Sequence, residues 1–152
     1  MTIFLGADHR GFEQKNRIKE LLEKQGYEIG DEGAFSYNPE DDFPVAALNV
    51  AQNISLDPDK QRVGILFCGS GVGMSITANK IKGVRAGLGF TLDQVKAARH
   101  DDDINVLVIP TDYVSSEEIV RLVEVFLETS FSAEEKYERR KKQIEEIEKR
   151  HE

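Results

Sequence analysis

A chain of 152 residues with 28 acidic against 20 basic side chains has room for one hydrophobic core, and its formal charge of −8 excludes the basic face of a nucleic-acid binder. The single cysteine excludes an internal disulfide framework and points to a reducing cytoplasm. Thr2-Ile3-Phe4-Leu5 lacks the basic and apolar regions of a secretion signal, and no apolar run approaches the roughly 20 residues of a membrane span, so no membrane partner is expected.

Thr2 to Ala7 is predicted as a first strand, ending at the turn Asp8-His9-Arg10-Gly11-Phe12. Phe12, Ile18, Leu21 and Leu22 give the next helix a buried stripe, which Gly26 stops. Tyr27 to Ile29 reads as a second strand, and Gly30 to Asp42 as an acidic loop. Phe43-Pro44 begins a helix with Val45, Leu48 and Ala51 on one face. Val63 to Phe67 is the central strand, followed by the glycine-rich turn Cys68–Gly73 and a helix carrying Met74, Ile76 and Ala78. Val84 to Leu88 is a fourth strand, and Thr91 caps a helix bearing Leu92, Val95 and Ala98. Asn105 to Ile109 is a fifth strand, ended by Pro110; Ser115 or Ser116 caps a helix with Ile119, Leu122, Val123 and Phe126 inward. Such alternation implies a parallel sheet with helices on both faces. Residues 1–131 form this α/β unit. Residues 132–152 are its polar C-terminal helix, either a solvated tail or an element that reaches a second subunit.

Three predicted strand ends carry polar residues: Ala7-Asp8-His9, Cys68-Gly69-Ser70 and Pro110-Thr111-Asp112. In an open α/β sheet they converge on the ligand crevice. The glycines between Gly69 and Gly73 serve either a tight turn or a cradle of N–H groups for an anion. Cys68 is either a small buried hydrophobe or, at a helix start, a thiol with a lowered pKa, fit to act as a base or nucleophile. His100 stands at a helix end before three aspartates; this run is either a solvated turn or functional.

Taken together, Gly6–Phe12, Gly64–Lys80, Gly83–Ala86 and Asn105–Leu107 resemble the ribose-5-phosphate isomerase B family, which includes the galactose-6-phosphate isomerase subunits. The resemblance implies a three-layer α/β/α sandwich with a five-stranded, Rossmann-like parallel sheet. It also implies a cofactor-free and metal-free aldose–ketose isomerisation of a sugar phosphate. On that reading Cys68 takes a proton from the carbon beside the carbonyl, and an enediolate forms. The amides of Gly69, Gly71, Val72 and Gly73 stabilise it, and Ser70 relays a proton. Asp8 and His9 match the family's substrate-contacting pair, and Lys136 and Arg140 its phosphate-holding cations, which reach across a dimer interface. A homodimer or dimer of dimers with shared sites is therefore expected.

The departures cluster at the site. His100-Asp101-Asp102-Asp103 puts Asp101 at the position of the ring-opening histidine and Asp102 at that of a substrate-binding asparagine, with His100 one residue early. Either His100 or Asp101, its pKa raised by neighbouring carboxylates, is then the ring-opening group. Phe43 replaces a tyrosine, and Asp112 stands where the family has arginine. Ribose 5-phosphate and ribulose 5-phosphate are the default pair. A tetrose or hexose phosphate isomerase, or a non-catalytic sugar-phosphate binder, is the alternative.

Overall fold

The computed structural model describes Met1 to Glu152. Its strands are β1 Thr2–Ala7, β2 Glu28–Asp31, β3 Arg62–Cys68, β4 Ala86–Leu88 and β5 Val106–Pro110. Its helices are α1 Phe12–Lys24, α2 Phe43–Ser55, α3 Val72–Ala78, α4 Leu92–Asp102, α5 Ser116–Glu128 and α6 Glu135–Arg150. All neighbouring strands pair in parallel, in the order β2-β1-β3-β5-β4. The sheet is covered on both faces, giving the expected three-layer α/β/α fold. Beyond β1 the chain turns one way, to β2, and beyond β3 the other, to β4, so the loops after β1 and β3 part at a topological switch point. That crevice is where such sheets bind ligands.

Alternation along β3 divides the core. Val63, Ile65 and Phe67 join residues of α1, α4 and α5 on one face. Leu66 and Cys68 join α2 and α3 on the other. On that second face Gly6 and Gly64 admit Val50 of α2; an ideal Cβ would lie 2.9 Å from Val50 at Gly6 and 2.6 Å at Gly64. This close approach explains a difference from the sequence expectation. The inward residues of α2 are Ala46, Ala47, Val50, Ala51 and Ile54, whereas Val45 and Leu48 are 62% and 36% exposed. Val50 seats against the glycines with alanines on either side of it, and Val45 and Leu48 turn outward. Ile76 of α3 likewise faces out while Met74 and Ala78 are buried. The second strand lies later than expected, because its register with Thr2–Leu5 draws Gly30 and Asp31 into the ladder. The fourth loses Val84 and Arg85 from its start. Thr91 and Ser115 cap α4 and α5 with complete capping boxes.

The C-terminal helix docks through charge. Lys141, 9% exposed, donates to Asp103 at 2.9 Å. Asp103 ends α4 in the left-handed region and also binds Arg85 and Arg99, each at 3.2 Å. Glu148 accepts from the Gly83 amide at 2.8 Å. Ile144 and Ile147 are left exposed. No helix is long and apolar enough to cross a membrane.

Lys15 is completely buried in α1, with Nζ 2.8 Å from Asp31 and 2.5 Å from the Ala34 carbonyl. Although burial opposes it, contact with Lys15, the Gly33 amide and Lys19 holds the Asp31 carboxyl below its ordinary value of 3.8. Lys15→Ala leaves Lys19 as the one cation on Asp31 and is expected to lower unfolding free energy by about 3 kcal/mol, measured by urea denaturation. The folded pKa of Asp31 is depressed, so its contribution is present above pH 3.8 and is lost as pH falls through the folded value. The wild-type advantage over Lys15→Ala is therefore expected to shrink in acid.

Candidate active site

The three polar strand ends meet at the carboxyl edge of the sheet. The Thr111 amide donates to the Cys68 carbonyl at 2.9 Å, and the Asp112 amide to the Gly69 carbonyl at 3.1 Å. The Thr111 hydroxyl lies 3.1 Å from the Arg10 carbonyl and 3.2 Å from that of Cys68, tying the β1 turn to the β3 turn. Asp8, 7% exposed, accepts from the Arg10 and Gly11 amides at 2.9 and 3.2 Å. Burial raises its pKa, and the two amides pull it back. An ideal Cβ on Gly11 would lie 2.1 Å from the Phe67 carbonyl oxygen, so this turn can pass β3 only as glycine. His9 packs its Nδ1 2.7 Å from Asp41, whose carboxylate also accepts the His9 amide at 3.0 Å. A carboxylate takes a donor, so Nδ1 carries a proton and Nε2 is the nitrogen left for a ligand.

The glycine-rich turn lies beside this pair. Gly71 adopts φ +77, and an ideal Cβ there would lie 2.5 Å from Leu88. The Phe43 ring lies against Gly73, where an ideal Cβ would be 2.5 Å from Cζ, so this side chain forms an apolar wall without a hydroxyl. The Ser70 hydroxyl accepts from the Val72 amide at 3.3 Å, which leaves its own proton free to donate. The Val72 amide is thereby occupied, whereas the amides of Gly69, Ser70 and Gly73 have no acceptor in the chain. Ser70 is exposed, Gly73 is partly exposed and Gly69 is buried.

Cys68 differs from expectation in its acidity. Its side chain is 5% exposed, and burial first, then the Asp8 carboxylate, raise the thiol above its ordinary 9.0. The Gly71 and Met74 amides act the other way, and Asp112 adds to the rise. The helix that follows has only 7 residues, too short for its dipole to outweigh desolvation and two carboxylates. At neutral pH these surroundings favour the protonated thiol.

The remaining candidates form a second cluster at the opposite edge. His100 Nδ1 lies 2.6 Å from Asp101, and the His100 ring stands edge-on to Tyr137 with centroids 5.8 Å apart. Lys136 and Arg140 flank the Tyr137 ring at 4.8 and 5.8 Å from its centroid. The expected rise in the Asp101 pKa does not occur. The hydrogen bond with His100 holds that carboxyl down, with help from Tyr137 and Lys136. Asp102 goes the other way, raised by burial and by Asp101. Helix α4 begins at the carboxyl edge and runs 11 residues, about 16 Å, before His100–Asp102 end it near the start of β5. The two groups of candidate residues therefore lie at opposite edges of the sheet. Sequence reasoning passed over Arg10, Asp41, Thr111 and Tyr137 as site residues. The Arg10 and Thr111 signals were present, since both lie in strand-end turns already singled out.

The ribose/galactose isomerase family model matches residues 3–144. Ribose-5-phosphate isomerase B of Mycolicibacterium paratuberculosis is 34% identical over 99% of this chain and 94% of that protein. The crystal structure of ribose-5-phosphate isomerase B from Mycoplasma genitalium with bound ribulose 5-phosphate superposes with a TM-score of 0.93, at 35% identity, over 97% of this chain and 96% of that one. The solved structure of the Clostridium thermocellum ribose-5-phosphate isomerase B gives 0.94 at 32% identity over the full length of both. With the fold, the switch-point crevice and the Cys68 turn in place, the chain belongs to the ribose/galactose isomerase family.

Proposed function

We propose that this protein interconverts an aldose phosphate and a ketose phosphate, ribose 5-phosphate and ribulose 5-phosphate by default, in the cytoplasm. The observation that carries the reading is Cys68 at the switch-point crevice, beside the Asp8–His9 turn and the unpaired amides of Gly69, Ser70 and Gly73. The ribulose 5-phosphate held by the Mycoplasma genitalium relative supports the substrate class.

Each residue then has a chemical task. Cys68, once ionised, takes the proton from the carbon next to the carbonyl and returns it to the neighbouring carbon. A base of high pKa drives that transfer strongly but is scarce in its ionised form at neutral pH. The free amides of the glycine turn meet the negative charge that develops on oxygen. Ser70 moves a proton between the substrate oxygens. Asp8 orders the turn that presents His9, and His9 Nε2 faces the sugar.

Ring opening and phosphate binding fall to the other cluster, His100, Asp101, Asp102, Lys136 and Arg140, and these belong to a second copy. A C2 dimer lays one chain's amino edge against its partner's carboxyl edge and completes two identical sites. Helices α2 and α3, which flank the crevice, carry exposed Val45, Leu48, Val72 and Ile76, an apolar face suited to that contact. The incoming cations also offset Asp8 and Asp112, lowering the Cys68 pKa where the base is needed. The C-terminal segment, residues 132–152, thereby serves its neighbour's site as well as its own domain.

The test is an assay of the purified protein on pentose, tetrose and hexose phosphates. The expected result is turnover, fastest between ribose 5-phosphate and ribulose 5-phosphate. Thermal stabilisation by a sugar phosphate with no turnover across the panel would make it a binding protein instead.

A further inference from the structure

Arg10 and Asp112 form an ion pair that none of the tasks above uses. Arg10 Nη1 lies 3.2 Å from Asp112 Oδ2, with the two side chains 58% and 43% exposed. A pair this exposed contributes little to stability. Its placement is nevertheless held firmly. The Arg10 amide donates to Asp8, and its carbonyl accepts from the Thr111 hydroxyl, which also reaches the Cys68 carbonyl. The Asp112 amide is bonded to the Gly69 carbonyl.

The pair spans the residue after Cys68. An ideal Cβ on Gly69 would lie 2.7 Å from Arg10 Nη1 and 2.8 Å from Asp112 Oδ2. Glycine at 69 therefore makes the space that the pair occupies. Electrostatics give the pair a use. Asp8 and Asp112 both raise the Cys68 pKa, and Asp41 raises that of Asp8, so an anion entering this crevice meets three carboxylates. His9 is already engaged by Asp41. Arg10 is the guanidinium at the mouth of the turn, and its fork matches a phosphate bidentately.

We propose that Arg10 is a substrate-binding residue of this half-site. Its guanidinium turns from Asp112 to the phosphate of the incoming sugar, so that Asp112 is the standing partner that holds it over the glycine turn. The proposal rests on the isomerase reading for its substrate, and its test separates the two.

Kinetics with ribose 5-phosphate and calorimetric titration with inorganic phosphate are run on wild type, Arg10→Gln, Arg10→Lys and Asp112→Asn. Arg10→Gln is expected to raise both KM and the Kd for phosphate by about tenfold, with a smaller change in kcat. Arg10→Lys recovers part of that loss. Asp112→Asn is expected to tighten both constants, because it frees the guanidinium and removes a repelling charge. If Arg10→Gln leaves both constants unchanged in an active, folded protein, the proposal is wrong. Asp112→Asn weakening binding as much as Arg10→Gln would also overturn it, since the pair would then be a structural unit. Should wild type show no turnover, the isomerase reading fails by itself, and the phosphate titrations still decide the role of Arg10; an adventitious, Arg10-independent affinity for phosphate refutes it.

Discussion

Cys68→Ala is expected to lower kcat by about 10³-fold while the protein stays folded and KM changes little. The thiol lies on the α2/α3 face among Leu66, Met74 and Val108, where alanine leaves a small gap and no unpaired charge. The stability cost of losing one buried sulfur is about 1 kcal/mol. The chemical cost is far larger, because no other side chain in the crevice duplicates the base. Asp8 is occupied by the Arg10 and Gly11 amides, and His9 by Asp41. Circular dichroism and a thermal melt beside the kinetics separate the two costs. The pH profile carries the same information. Burial and Asp8 raise the thiol in the separate chain and the partner's cations pull it back, so kcat/KM is expected to rise with pH to a plateau where the thiol of the assembled site is ionised. Removing the Asp112 charge moves that rise to lower pH, because Asp112 is one of the groups that raise the thiol. Retention of more than about a tenth of the wild-type kcat in Cys68→Ala would take Cys68 out of the mechanism.

Much of this could be read from the chain itself. The alternation of apolar runs with capped helices specified five parallel strands, and Thr91 and Ser115 marked helix starts that the structure keeps. The polar strand ends at Asp8, Cys68 and Thr111 marked the crevice, since topology alone brings such ends together. Quantities set by three-dimensional neighbours were not legible. Periodicity put Val45 and Leu48 inside, whereas Val50 is the side chain that seats against Gly6 and Gly64, which leaves Val45 and Leu48 outward. The position of Cys68 before a helix suggested a lowered pKa; its depth and the approach of Asp8 give the reverse. The run of acids at Asp101–Asp103 suggested a raised Asp101, whereas His100, Tyr137 and Lys136, the last two brought by α6, hold it down. Asp112 read as a lost cation, and only the fold reveals that Arg10 stands opposite it. The alternation itself, with a helix that leads back to the start of a parallel strand, puts His100 at the far edge of the sheet from Cys68.

That separation leads to the second large effect. If each site takes Cys68 from one chain and the His100–Arg140 cluster from another, two inactive proteins should restore each other. Cys68→Ala disables every site by removing the base. Lys136→Ala/Arg140→Ala disables every site by removing the cations beside Tyr137. In a mixed dimer both losses fall on one site, and the other receives an intact Cys68 and intact cations. Random pairing makes half of the dimers mixed, each with one good site of two, which returns about a quarter of wild-type activity. No such return is possible if a chain works alone, since every chain then carries one fatal change. The decisive measurement is the turnover of ribose 5-phosphate by the two variants co-expressed in equal amount and purified together. The expected result is about a quarter of the wild-type rate from parents that are each nearly inactive. A co-purified sample no more active than the average of its parents would contradict it.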